Sequence, residues 1–203
     1  MAEVALAQPR DLPVGPLHRQ GVGWWGAGTL IASEAALFAY LLFSYYYLGA
    51  VNPVGWLLEP APDLSLALPN TALLLASSVF AWAGESGVLH RSRALALTGF
   101  GVAFVLGTIF AVIQVFEWKA KTYGLGTSSY ASLYFVTTGF HMAHVVVGLL
   151  ILAALFLWTV LDYFSPRRRV VVSAGVLYWH FVDAVWLFVF TTYYLTPYLG
   201  FGR

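Results

Sequence analysis

The sequence contains no cysteine. That single absence excludes a disulfide framework, thiolate-ligated copper, iron–sulfur clusters and C-x-x-C-H haem attachment. Charge is nearly as scarce. Asp, Glu, Lys and Arg make up 9% of the 203 residues, against about 25% in an ordinary soluble domain. So little charge cannot cover a water-facing globule, and a net charge of +1 gives no basic footprint for nucleic acid. The leading stretch MAEVALAQPRDLPVGPLHRQG lacks an apolar core followed by a cleavage site, so a secretory signal peptide is not expected.

What is present is apolar: 60% of the residues are hydrophobic, with 8 Trp and 12 Tyr. Indole and phenol rings favour the two membrane interfaces. A spanning helix needs about 20 mostly apolar residues, and five such runs can be read, at about 25–48, 69–90, 94–117, 131–160 and 175–197. The expected fold class is all-α, a polytopic membrane bundle of five transmembrane helices. Residues 1–22 are expected as a cytoplasmic lead and 23–203 as the bundle. Pro53, Pro60 and Pro62 fall in the first loop, Pro69 is expected to open the second helix, Pro166 lies in the fourth loop and Pro197 ends the fifth helix. No proline is expected inside a span.

Basic residues set the orientation. Arg10, Arg19, Arg91, Arg93, Arg167, Arg168 and Arg169 fall on one side, and Lys119, Lys121 and Arg203 on the other. The positive-inside rule then places the N-terminus in the cytoplasm and the C-terminus outside. On the third helix, Gly99, Ala103 and Gly107 recur every four residues, a small-residue face that admits a close helical neighbour. Gly139 and Gly148 are candidates for the same role on the fourth.

Few polar residues interrupt the apolar runs: Glu34, Gln114, Glu117, His141, His144, His180 and Asp183. An ionisable side chain at the bilayer centre costs roughly 2.5–3.5 kcal/mol on insertion scales, so each calls for a partner. Glu34 and Asp183 lie about 10–15 Å from the cytoplasmic helix ends at 1.5 Å per residue, too deep to reach the headgroups. Glu117, beside Trp118 and Lys119, reads as an interfacial residue. His180 and Asp183 are three apart on one face and can bond mutually or to a neighbouring helix. Three roles fit such residues: axial ligation of haem, an ion or proton pathway, or polar contacts that fix how helices meet. His141 and His144 share one helix, so only one of them could pair with His180 across a haem. No internal repeat or broken span suggests a transporter.

The order of motifs narrows the choice. ASEAALFAYL is followed by LPNTALLLASS, QVFEW, SLYFVTTGFHMAHVVVG and YWHFVDAVWLF. This series resembles subunit III of the haem-copper oxidases, the cytochrome c oxidase type, from about Gly23 to Tyr194. The resemblance implies a non-catalytic subunit of a proton-pumping terminal oxidase, with no catalytic, cofactor-binding or metal-binding residue of its own. Haem and copper would reside in partner subunits I and II, with phospholipid bound to this chain. Cytochrome c or quinol would donate electrons to the complex rather than to this chain. It places Glu34 on the family's buried, carbodiimide-reactive glutamate. His141 and His144 fall on the histidines of TGFH, and His180 and Asp183 on YWHFVD. Asn70 and Thr71 match the N-T that follows the first loop. The family's longer members have two further helices before these five, so the chain resembles the shorter bacterial form, and a multi-pass protein of the bacterial plasma (inner) membrane is implied. The same fold would also suit subunit III of a quinol oxidase or the accessory protein of nitric oxide reductase. A haem-binding membrane anchor is the reading from another class.

Overall fold

The computed structural model describes residues 22–58, 62, 64–164 and 170–202. Five long helices fill most of them: α1 (Val22–Val51), α2 (Leu64–Leu89), α3 (Arg93–Ala120), α4 (Ser129–Val160) and α5 (Val170–Phe190). All five are long and apolar enough to cross a membrane. The expected lead, apart from Val22, lies outside the described residues, as do Pro60, Pro166, Arg167, Arg168, Arg169 and Arg203.

Two helix ends differ from the sequence reading. α2 begins at Leu64, so Pro69 lies inside it. Only one turn precedes the ring there, and the loss is limited to an early hydrogen bond. α5 does not run unbroken to Pro197. It passes at Thr191 into a π-helical turn, Thr191–Leu195, and then a 3-10 turn, Thr196–Leu199, with Pro197 at its start.

The helices are not equivalent. Half of the most apolar window of α5 is buried, against 11% for α1, so α5 is the central element and α1 the peripheral one. α5 packs on α1, α2 and α4, and α1 rests on α4 and α5. α2 and α3 form a hairpin whose backbones nearly touch. A Cβ added at Gly99 would lie 2.4 Å from the Gly84 nitrogen, and one at Gly87 would lie 2.4 Å from the Ala96 nitrogen. The small-residue face of α3 therefore works within the bundle. Gly99 meets α2, Ala103 is fully buried, and Gly107 meets the Trp179 indole of α5. Gly148 of α4 closes on the same indole, whereas Gly139 has nothing within 4 Å and takes no part. Large apolar side chains such as Trp82, Leu150 and Phe188 face outward, as a surface bathed in lipid requires.

Candidate functional site

Most polar residues of the spans resolve into three groups; Gln114 of α3 stands outside them, fully buried and with no side-chain hydrogen bond among the described residues. The first joins α1 to α4. His144 Nε2 lies 3.1 Å from Glu34 Oε2, and His144 Nδ1 donates to the Phe140 carbonyl at 2.7 Å. With Nδ1 carrying its proton, Nε2 and a carboxylate oxygen can meet at that distance only through another proton. It is held either as a carboxyl donating to a neutral ring or as an imidazolium donating to a carboxylate. Phe38 packs edge-on against the imidazole at 5.1 Å and Tyr178 stacks at 6.5 Å, walling the pair. Beside it, an apolar groove of about 360 Å³ runs between α1, α4 and α5, lined by Ile31, Ile151, Trp158 and Tyr178 among others.

The second group joins α2 to α5. Trp186 Nε1 donates to Thr71, and Trp179 Nε1 to Ser77, each at 3.0 Å. His180 Nδ1 shares a hydrogen bond with the Ser78 hydroxyl at 3.1 Å. Ser173 donates to Glu85 at 2.5 Å. Four side chains of α5 thus meet four of α2. His180 and Asp183 do not bond each other. α2 packs across this face of α5, and its Ser78 hydroxyl bonds His180 and also faces the Asp183 carboxyl. Asp183 Oδ1 keeps no partner among the described residues. His141, fully buried, donates from Nε2 to the Val182 carbonyl at 3.2 Å and so ties α4 to α5. Its ring lies 5.0 Å from Trp186 and 6.0 Å from Phe110. Asn70 bonds the Phe110 carbonyl of α3 at 3.4 Å.

The third group was not legible as a group. Glu117 is not a simple interfacial residue, because it accepts hydrogen bonds from the Tyr194 and Tyr134 hydroxyls. Those two hydroxyls lie 3.3 Å apart. Lys121 Nζ sits 5.5 Å over the Tyr134 ring. The neighbouring Tyr193 reaches Thr137 at 3.1 Å, and Tyr45 reaches Thr196 at 3.2 Å. The π-helical turn turns both Tyr193 and Tyr194 inward. Tyrosines expected at the lipid interface therefore form a buried layer that closes the C-terminal end of α5.

Glu34 and His144 are brought together, as are His180 and Asp183 around Ser78, while His141 stands apart in the core. Among the described residues no three of His, Cys, Asp and Glu converge as a metal site would require.

A family model, Cytochrome c oxidase subunit III, matches residues 17–198 of the chain. A cytochrome c oxidase subunit 3 from Synechocystis is 34% identical over 175 residues, which cover 84% of this chain and 74% of the relative. One from Mammuthus primigenius is 32% identical over 189 residues, 88% of this chain and 71% of the relative. One from Locusta migratoria is 32% identical over 180 residues, 84% and 67%. These relatives favour the cytochrome c oxidase reading over the quinol oxidase and nitric oxide reductase alternatives.

Proposed function

The chain belongs to the cytochrome c oxidase subunit III family, and from that premise we propose that its task in the oxidoreductase complex is mechanical and lipidic rather than chemical. The observation that carries this reading is the use made of the intramembrane polar groups. Glu34 links α1 to α4, His141 links α4 to α5, and His180 links α5 to α2. Each is engaged in holding one helix against another, which is how a bundle serves as a fixed support for a neighbour.

The neighbour is subunit I, with subunit II in the same complex, and these carry the haem and copper that reduce O₂. Electrons from cytochrome c enter there. Phospholipid acyl chains occupy the apolar groove between α1, α4 and α5, which shares Tyr178 with the surroundings of the Glu34–His144 pair and whose walls suit hydrocarbon. The N-terminal end faces the cytoplasm of a bacterium, a reading supported by Arg91 and Arg93 lying at that end of the hairpin. There the subunit supports proton uptake by subunit I.

Glu34→Gln tests the division of labour. A glutamine amide can donate to His144 Nε2, so the α1–α4 link survives without its acid. The complex should assemble with its haems and reduce O₂ at nearly the parent rate, with the loss confined to pumping efficiency or to survival over many turnovers. Abolished O₂ reduction in an assembled, haem-replete complex would make Glu34 catalytic and end this reading.

A further inference from the structure

The ends of α2 and α4 lie side by side and share an unusual feature. Each closes in a Schellman motif. Ser92 N–H bonds the Gly87 carbonyl and Arg91 N–H the Val88 carbonyl; Tyr163 N–H bonds Trp158 and Asp162 N–H bonds Thr159. The residue after such a helix end adopts the left-handed conformation and is usually glycine, because a Cβ is crowded there. Here it is Arg91 in one helix and Asp162 in the other, both with φ of 56°. They are the only non-glycine residues with positive φ among the described residues. Both line one cleft of about 350 Å³, together with Arg93, Thr159, Val88 and Phe164.

Two opposite charges in one cleft would ordinarily pair. Among the described residues, neither Arg91 nor Arg93 forms an ion pair with Asp162. Arg93 instead donates to the Val160 carbonyl at the end of α4, joining α3 to α4. The cleft therefore presents guanidinium and carboxylate separately, above an apolar floor of Val88 and Phe164. The carbonyl end of α4 adds negative potential on the Asp162 side. We propose that this cleft binds a zwitterionic phospholipid headgroup of the phosphoethanolamine type. The phosphate lies on Arg91 and Arg93, the ammonium on Asp162, and the acyl chains start along Phe164. The shared chemistry is a phosphate ester beside a primary ammonium, and the bilayer is its source. The inference rests on the membrane-embedded reading of the chain, with this end at headgroup level.

The test uses the purified complex, stripped of lipid in detergent and titrated with phosphatidylethanolamine, phosphatidylcholine or phosphatidylglycerol under native mass spectrometry. Arg91→Gly and Asp162→Gly are the informative variants, since glycine is the residue both helix ends favour and the fold is kept. Arg91→Gln, which retains the stem, is the companion. The parent should retain phosphatidylethanolamine in preference to the other two lipids. Arg91→Gly and Arg91→Gln should weaken that binding by about ten-fold, the loss of one charge-assisted contact. Asp162→Gly should abolish the preference over phosphatidylglycerol. Equal retention by parent and variants overturns the proposal, as does a parent that does not distinguish the three lipids. Displacement of the lipid by soluble glycerophosphoethanolamine at matched concentration also overturns it, in favour of a free phosphate ester. The same spectra report whether partner subunits remain bound. Their loss would count against the proposed function and leave the cleft, which lies wholly within this chain, unaffected.

Discussion

One methyl group added at Gly148 should loosen four helices at once. Trp179 of α5 is 1% exposed and is held from three sides. Its Nε1 donates to Ser77 of α2, its six-membered ring faces Gly107 of α3 on one side, and Gly148 of α4 lies on another. A Cβ at Gly148 would sit 2.5 Å from Cε3 and 2.8 Å from Cζ3. Carbon atoms prefer about 3.5–4.0 Å, so the indole must move by roughly 1 Å. It cannot retreat toward α3, where even a Cβ at Gly107 would lie 2.7 Å from Cη2. Overpacking of this kind costs about 1–3 kcal/mol. If the indole also releases Ser77, an orphaned buried donor adds about 1–3 kcal/mol. Gly148→Ala should therefore lower the thermal midpoint of the purified complex and its yield, with a change in tryptophan fluorescence. Trp179→Phe shortens the ring system where the methyl intrudes, so Gly148→Ala with Trp179→Phe should be less unstable than the two single effects added together. A Gly148→Ala protein of parental stability would refute the reasoning, and so would strict additivity in the double variant.

Three further outcomes are expected. Gly99→Ala should impair assembly while Gly139→Ala is silent, because an added Cβ meets the α2 backbone in the first case and nothing in the second; equal yields would contradict the hairpin contact. Ser78→Ala should destabilise the α2–α5 seam by about 1–3 kcal/mol, since it strips His180 and faces Asp183 with a methyl. The triple change Ser78→Ala, His180→Phe and Asp183→Leu should then recover part of the assembled yield, and a triple variant no better than Ser78→Ala counts against the shared hydroxyl. Glu117→Leu should speed hydrogen exchange across Thr191–Leu199, as Tyr134 and Tyr194 lose their common acceptor; unchanged exchange there would show that the tyrosine layer stands without it.

The spans were legible in the sequence because a bilayer demands long apolar runs, and Leu, Val, Phe and Ala supply them whatever the helices pack against. Pro69 misled because proline marks a helix's early turns as well as its boundary. The partners of the buried polar residues were not legible. Glu34 and His144 are 110 residues apart, and their meeting depends on the rotation of α1 against α4. Ser78 reads as one more small residue in LPNTALLLASS until α2 brings it to His180. His180 and Asp183 on one helix face allowed a mutual bond or one to a neighbouring helix, and tertiary packing takes the second course through Ser78 of α2. Tyr193 and Tyr194 are adjacent, and both turn inward only because the backbone widens into a π-helical turn. No motif announces that turn. Arg91 counted in the sequence only toward a charge bias and Asp162 carried no signal at all, and their left-handed backbone appears only in the folded chain.

The proposed function makes this chain a support without redox cofactors of its own, within an oxidase whose haem and copper lie in other subunits. The most direct measurement is purification of the tagged chain from its native membrane, with mass identification of everything that accompanies it. An absorption spectrum and metal analysis of the polypeptide after separation complete it. The account predicts that subunits I and II co-purify with their haem and copper, and that the separated polypeptide shows no Soret band and no stoichiometric copper. A chain that purifies alone, or that keeps stoichiometric haem or copper once its partners are removed, contradicts it.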